Sequence, residues 1–204
     1  MTPDPYDVHD DDEPRPRGRV LDEDRGALPY ALLHGEALVV CAAWAVGEAG
    51  VRLLDHGTPW SEVQEEGGPL LLHDSLCPAT PAEFLADCVA RATATGRVVV
   101  GVRPVTDTVK QVSDGVVGGT VDREGLRVLC SPVVLPAEVV RRLPDLPSTD
   151  LATLLDALVL PLGQDRSAWL ELVEAPAEAR RVRDLDDVRL LEQLTGRPDA
   201  LPGS

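Results

Sequence analysis

Aromatic residues are scarce in this sequence. Phe, Trp and Tyr together make up 3% of the 204 residues, so leucine, valine and alanine must fill any core that the chain forms. Hydrophobic residues still amount to 44% of the chain. That share, over this length, favours one domain of ordinary size with its own hydrophobic core.

Positive charge is also in short supply. The chain carries 19 Lys and Arg residues against 35 Asp and Glu residues, for a net charge of −16. Nucleic-acid binding needs a basic surface that displaces counterions, and anionic membranes repel an acidic surface. The composition therefore argues against both kinds of partner. A single lysine, Lys110, stands among the basic residues, the rest of which are arginines.

Cysteine pairs and long apolar runs are missing as well. The four cysteines, Cys41, Cys77, Cys88 and Cys130, form no CxxC pair, and no zinc-type spacing with histidine occurs. They are typical of small buried residues in a reducing compartment. No apolar run of about 18 residues is present, and the N-terminal region lacks the apolar segment of a signal peptide. We therefore expect a cytoplasmic protein.

The ends of the sequence differ in composition from its middle. Residues 1–24 are acidic and rich in proline, which is typical of a disordered tail. Residues 25–196 make up the predicted domain, and residues 197–204 a short C-terminal tail.

The middle of the chain alternates strand and helix patterns. A largely apolar helix is predicted near 36–49, a polar loop at 55–68 and a buried strand at 69–74. The next helix has the residues of a capping box, with Thr80 as N-cap, Pro81 at the first helical position and Glu83 at the third. Gly96 is expected to end this helix, and a strand at 97–102 completes a βαβ unit.

Residues 104–126 interrupt this alternation. Two extended runs flank a turn at Ser113–Gly115, as in a two-stranded ribbon. After the ribbon the pattern predicts helices at 136–142 and 150–159, a strand at 169–175 and a helix at 185–194 between Asp184 and Gly196. The class is α/β: an open, mostly parallel sheet with helices on both faces and a protruding hairpin.

Ligands of such sheets bind at the carboxyl ends of the strands. Asp74 ends a buried strand, and its carboxylate could hold a hydroxyl group or a metal-bound phosphate; the alternative is a capping role in the loop. Hydroxyl and guanidinium groups on separate loops would form a phosphate site if they converged, and are ordinary surface residues if they do not. These are Thr108, Arg123, Ser131, Thr149 and Arg181.

Three segments resemble 2-C-methyl-D-erythritol 4-phosphate cytidylyltransferase, the CTP-using enzyme of the non-mevalonate isoprenoid pathway. They are "LLLHDSLCP", "PVTDTVKQV…GTVDREGLRVLCSP" and "LVEAPAEARRVRDLDDVRLLEQL", in this order, and the likeness covers about residues 69–195. The family reads HDAARP, a DT-[IVL]-K…T-[VL]-x-R arm and an acidic VEG…PEDL end at these places.

The resemblance implies a Rossmann-like nucleotidyltransferase domain that forms a homodimer by exchanging the arm 104–126, with Arg123 reaching the partner's site. Asp74 would contact the sugar alcohol. The phosphate of methylerythritol phosphate would lie among Thr108, Arg123, Ser131, Thr149 and Arg181. Serine stands at 131 where the family has threonine, and arginine at 181 where it has lysine, so the phosphate geometry need not be the same.

The nucleotide half of the resemblance is incomplete. The family's AAGxGxR loop is replaced by a stretch with Asp22, Glu23 and Asp24, and its Pro-Lys by Pro29-Tyr30. Acids at this place would repel CTP phosphates, and Arg25 is the one candidate for a substitute cation. If CTP is used, Mg²⁺ would accompany it, with Asp74 as a candidate ligand.

Two further departures affect the same half. The gap from about residue 49 to residue 70 is too short for the family's cytosine-binding segment, and Cys77 stands where HDAARP has its arginine.

Three hypotheses follow. The chain is a non-catalytic binding or regulatory relative, as a homodimer or as a heterodimer with an active paralogue; or an active cytidylyltransferase with a rebuilt nucleotide site; or a protein whose arm serves dimerisation alone. The ligand expected under the first two is a phosphorylated small molecule.

Overall fold

A computed structural model of the chain describes residues 15–104, 110–113, 116–120 and 127–196, with backbone only for 110–113 and 116–120. The strands are β1 (Arg17–Leu21), β2 (Leu32–Leu33), β3 (Glu36–Ala37), β4 (Arg52–Leu53), β5 (Leu70–Asp74), β6 (Val98–Pro104), β7 (Lys110–Ser113), β8 (Val116–Thr120), β9 (Arg127–Leu135) and β10 (Leu170–Glu174). The α-helices are α1 (Leu38–Glu48), α2 (Trp60–Glu65), α3 (Ala82–Thr95), α4 (Ala137–Arg142), α5 (Leu151–Ala157), α6 (Val159–Leu162), α7 (Arg166–Trp169) and α8 (Leu185–Thr195). Short 3-10 helices span Leu28–Tyr30 and Ala177–Ala179.

Six strands form one mixed sheet in the order β10-β6-β9-β5-β1-β4. Every neighbouring pair is parallel except the two made by β9, which is antiparallel to β5 and to β6. The strands β5 and β6 therefore run in the same direction with β9 between them. This confirms the predicted α/β class and the mostly parallel sheet.

The sheet is covered on both faces because the first three positions of β5 are all apolar and buried. Leu70 and Leu72 of β5 face a core cluster that includes residues of α4 and α5. Leu71 points to the other face, where the buried side chains of α1 and α3 pack. Strands buried on both faces read as continuous apolar runs, which is how the segment 69–74 begins in the sequence.

The predicted boundary between tail and domain at residue 25 is wrong. Residues 17–21 form β1, which pairs with both β4 and β5 inside the sheet. The segment reads as polar because Arg17 begins it, yet Arg17 is 1% exposed and donates to the carbonyl groups of Val63 and Gly68. A guanidinium that finds buried acceptors can occupy a position that charge alone assigns to a tail.

Two local predictions also need correction. The loop predicted at 55–68 contains α2. The N-cap of α3 is Pro81 rather than Thr80, whose hydroxyl instead donates to the Cys77 carbonyl at 2.8 Å. The prediction for the other end of α3 is confirmed, because Gly96 adopts a left-handed conformation with φ of 65°.

The ribbon predicted within 104–126 contains an antiparallel pair. Strands β7 and β8 pair with each other in a separate two-stranded sheet, with Ser113 opposite Val116. Thr108 and Arg123, the two site residues predicted on this arm, lie outside the described residues.

Candidate functional site

The candidate site lies where β1 and β5 end at the same edge of the sheet. Asp74 is the last residue of β5 and is 3% exposed. One carboxylate oxygen accepts the Arg25 Nε–H at 2.7 Å and the Leu76 backbone N–H at 3.0 Å. The other accepts the Arg181 Nε–H at 2.9 Å. Asp74 is therefore held between two guanidinium groups.

Each of the three guanidinium nitrogens of Arg25 donates to a protein acceptor. Besides its bond to Asp74, it donates through Nη2 to the Thr149 carbonyl at 3.1 Å and through Nη1 to the Glu23 carbonyl. Its side chain is 7% exposed. Arg25 thus joins the loop after β1 to the end of β5 and to the loop before α5, and it presents little surface to an incoming phosphate.

The environment of Asp74 keeps it ionised. Burial acts to raise the pKa of Asp74, but hydrogen bonds from Arg25, from the Leu76 N–H and from Arg181 outweigh it and leave the pKa below the ordinary value of 3.8. Magnesium prefers carboxylate oxygens that are open to it and to its water shell. Both oxygens of Asp74 already face guanidinium groups, so Asp74 does not fit the predicted role of a Mg²⁺ ligand.

A cleft of about 160 Å³ opens beside Asp74. Asp150 and Arg181 line it, together with the buried thiols of Cys77 and Cys130. The Arg181 side chain is 41% exposed, so a ligand in the cleft can reach it. Hydrogen bonding from Thr153 at the start of α5 lowers the pKa of Asp150.

Ser131, on the neighbouring strand β9, supports the end of β5. It is fully buried, its hydroxyl oxygen accepts the Asp74 backbone N–H at 2.8 Å, and it lies 2.6 Å from Nδ1 of His73. Because its oxygen accepts from the backbone, its proton is available for the His73 nitrogen. These contacts position the end of β5, and the predicted contact of Ser131 with a phosphate stays a prediction.

The structure thus brings together Asp74, Arg181, Arg25 and the half-buried Thr149. Ser131 contacts this group through the backbone of Asp74. The sequence did not indicate His73 as a partner of Ser131. An imidazole that follows three leucines in a buried strand is the available signal, because such a group needs a hydrogen-bond partner.

Asp22 and Glu23, two of the acids expected at the place of a glycine loop, lie just beyond β1. The Asp22 side chain is 12% exposed, and its Oδ1 lies 3.0 Å from Nε2 of His56, in the loop that follows β4. His56 was not predicted as a site residue, because β4 is only two residues long and leaves no strand pattern.

A second cavity, of about 580 Å³, lies between the start of α3 and the end of β10. It is larger than the cleft, but Glu83, Asp87 and Glu174 line it. No basic residue lines this cavity within the described part of the chain, whereas in the smaller cleft Arg181 offsets Asp74 and Asp150, so the smaller cleft is the better candidate for an anion.

Among the described residues, no helix is both long and apolar enough to cross a membrane.

The mixed six-stranded sheet with helices on both faces matches the Rossmann-like fold of solved nucleotidyltransferases. A crystal structure of 2-C-methyl-D-erythritol 4-phosphate cytidylyltransferase from Thermus thermophilus has this fold, with a TM-score of 0.64 at 21% identity over 88% of this chain and 98% of that chain. A crystal structure of 4-diphosphocytidyl-2C-methyl-D-erythritol synthase from Anaerococcus prevotii gives 0.60 at 14% identity over 90% and 97%. At these identities the likeness shows the fold.

Sequence comparison gives the family. The family model described as 2-C-methyl-D-erythritol 4-phosphate cytidylyltransferase matches residues 61–156. The protein of that name from Nocardia farcinica is 34% identical over 139 residues, which are 67% of this chain and 57% of the relative. The one from Frankia casuarinae is 35% identical over 142 residues, 67% of this chain and 50% of the relative. The chain belongs to this cytidylyltransferase family and spans about half the length of these curated relatives.

Proposed function

We propose that this chain is a non-catalytic relative of the cytidylyltransferases that binds a phosphorylated polyol of the methylerythritol phosphate class. The observation that carries the proposal is the pairing of Asp74 with both Arg25 and Arg181. Arg25, the predicted substitute for the family's catalytic cation, spends its donors on protein acceptors. Transfer of a cytidylyl group requires a cation that stabilises charge developing on the phosphates, and Arg25 is not free to do this.

The two sides of the candidate site, at the end of β1 and at the cleft beside Asp74, differ in charge. On the side of β1, Asp22 and Glu23 without a bound cation would repel the phosphates of a nucleoside triphosphate. On the side of the cleft, Arg181 is 41% exposed beside Asp74 and Asp150, and as a cation it can form charge-assisted hydrogen bonds with a phosphate monoester. This asymmetry favours a small phosphate over CTP.

Calorimetric titration tests the proposal. Methylerythritol phosphate should bind to the full chain, and Arg181→Gln should weaken binding at least tenfold, because one charged contact is worth about 1.5–3 kcal/mol. Arg189→Gln is the matched control, since Arg189 is an exposed arginine paired with Asp186 on α8. CTP with Mg²⁺ should give no micromolar binding; such binding would contradict the proposal.

An active enzyme with a rebuilt nucleotide site is the second candidate, and the family membership favours it. It predicts release of pyrophosphate from CTP and methylerythritol phosphate in the presence of Mg²⁺. The assay uses a high concentration of this chain beside an intact family enzyme. Release that rises in proportion to the concentration of this chain would establish activity.

We further propose that the arm 104–126 joins two copies of this chain, or this chain and an active paralogue. The separate sheet of β7 and β8 supports this proposal, because an isolated hairpin is marginally stable in water.

A further inference from the structure

Three potential metal ligands converge where the family has its glycine loop. Asp22 and Glu23 directly follow β1, and His56 lies in the loop after β4. The strands β1 and β4 are parallel neighbours, so their carboxyl ends open at the same place. The ligand atoms of Asp22, Glu23 and His56 all lie within 4.8 Å of one another.

The loop that carries His56 is fixed at several points. The Leu54 N–H donates to the Gly18 carbonyl at 2.8 Å, and the Thr58 N–H closes a turn on the Asp55 carbonyl at 3.0 Å. Arg19 donates to the Thr58 carbonyl at 3.0 Å. His56 is therefore presented by a turn that is tied back to β1.

The contact between Asp22 and His56 is not an ordinary hydrogen bond. Oδ1 of Asp22 is shielded from solvent and accepts no hydrogen bond from any described residue. Yet it lies 3.0 Å from Nε2 of His56, so the ring nitrogen is close without pointing at the oxygen. Two ligands at about 2.1 Å from a shared ion are about 3.0–3.4 Å apart, depending on the coordination geometry. The separation therefore fits two ligands of one ion.

The charges of Asp22 and Glu23 also favour a bound cation. Carboxylate oxygens of Asp22 and Glu23 lie within 4.8 Å of each other, and like charges at this distance repel. A divalent cation would neutralise both carboxylates and would satisfy the buried oxygen of Asp22.

We propose that Asp22, Glu23 and His56 bind one divalent transition-metal ion of the zinc class. One imidazole and two carboxylates are a nitrogen and oxygen set that suits Zn²⁺, whereas Mg²⁺ prefers oxygen ligands alone. Three protein ligands leave a coordination position open to water or to an anion. Asp74 is not one of the three ligands, and the proposal does not depend on the function of the cleft.

Zinc chloride alone is the probe for the test. The full chain, prepared without a histidine tag and stripped by a chelator, should bind one Zn²⁺ per chain in a calorimetric titration. His56→Asn and Asp22→Asn should each weaken binding at least tenfold. His34→Asn is the matched control, because His34 is an exposed histidine that lies 2.7 Å from Thr195 instead; it should bind as the unaltered chain does.

A spectroscopic readout identifies the ligands directly. Titration with Co²⁺ should produce visible absorption bands that His56→Asn removes and that a large excess of Mg²⁺ leaves in place. The His56 side chain is 65% exposed, so this variant should fold, which circular dichroism checks. If no Zn²⁺ binds, or if His56→Asn binds Zn²⁺ as tightly as the unaltered chain, the contact is an ion pair only and the proposal is wrong.

Discussion

At the scale of single residues, the buried carboxylate of Asp74 depends on its two arginines. A charge removed from water costs several kcal/mol unless partners compensate it. Arg25 and Arg181 supply that compensation from opposite parts of the chain, 49 and 107 residues away. The pairing with Arg25 should therefore contribute to stability.

Arg25→Met removes the more buried of these partners. We expect it to lower the free energy of unfolding by about 2 kcal/mol, below the ~3–5 kcal/mol of a buried charge left alone, because Arg181 remains. Urea denaturation measures the loss. Arg166→Met is the control, since Arg166 and Asp156 form an exposed pair and the loss there should be under about 1 kcal/mol.

The same variant has a pH signature. The pKa of Asp74 is depressed in the folded chain, so its contribution is present above 3.8 and is lost as the pH falls through the folded value. The difference between Arg25→Met and the unaltered chain should narrow as the pH falls below 3.8. A difference that does not change with pH would contradict the assigned pairing.

His73 gives a prediction in a higher pH window. Burial lowers the pKa of His73 from 6.5 to about 4. Between these values the unfolded chain binds a proton that the folded chain does not, so stability should fall as the pH drops from 6.5 to 4, by about 3 kcal/mol in total. Urea denaturation at several pH values measures this slope.

His73→Gln should flatten the slope in that window, whereas His34→Asn, at an exposed histidine, should leave it. If His73→Gln does not fold, proton NMR of the unaltered chain decides the matter. An imidazole resonance of His73 that titrates near 6.5 would contradict the assignment.

The sequence identified part of this chemistry. Asp74 and Arg181 could be selected as candidates, because Asp74 ends a recognisable strand and Arg181 follows another; Asp74 also fits a family motif, whereas the resemblance has lysine in place of Arg181. The pairing of Arg25 with Asp74 could not be predicted, since this pairing depends on the register that sets β1 beside β5. His56 escaped notice for a similar reason: its place beside Asp22 follows from the pairing of β1 with the two-residue strand β4.

At the scale of elements, β5, β6 and β10 were predicted as strands, whereas β1 and β9 were not. The segments that became β5, β6 and β10 show continuous apolar runs or alternation. In β1 the arginines at 17 and 19 conceal the strand, because both side chains find backbone acceptors only after the chain has folded. Local pattern cannot show acceptors that lie 46 and 39 residues away in the sequence.

Gly101 tests how closely β6 and β9 pack. A Cβ at this position would lie 2.8 Å from the backbone oxygen of Ser131, at a register shift between Val100 and Val102. Gly101→Ala should therefore lower the free energy of unfolding by about 1–3 kcal/mol, as overpacking does. It should also disturb the Ser131 contact that positions Asp74. Urea denaturation measures the stability.

The control for Gly101 is another glycine. Gly47 lies inside α1, and within the described part of the chain a Cβ there would meet nothing within 4 Å. Gly47→Ala should leave stability unchanged or raise it by about 0.5–1 kcal/mol. Equal effects of the two substitutions would mean that β6 and β9 can separate at no cost.

At the scale of the whole molecule, the six-stranded sheet is complete although the chain spans about half the length of its curated relatives. The departures expected from the resemblance, at residues 22–24, 29–30 and 77, fall outside the strands. The sequences of the sheet and of the loops can change independently. Core packing constrains the residues of the sheet, whereas ligand binding constrains those of the loops. The sequence could therefore predict the fold from its strands, while the state of the site needed the contacts of Arg25.

The arm gives the last prediction, which concerns association. An isolated two-stranded ribbon is marginally stable, so β7 and β8 should gain stability by packing against a second copy. Sedimentation velocity should find a dimer of about twice the 21.8 kDa chain. Because each copy carries a net charge of −16, the dimer should tighten when salt is raised from about 0.01 M to about 0.15 M, which shortens the screening length from ~30 Å to ~8 Å.

Replacing residues 107–124 with a short Gly-Ser linker should give a monomer with an unchanged sheet, whereas removing residues 197–204 should leave the dimer. A full chain that stays monomeric at tens of micromolar and moderate salt would show that this arm does not join two copies, and a heterodimer would then be the remaining use for it.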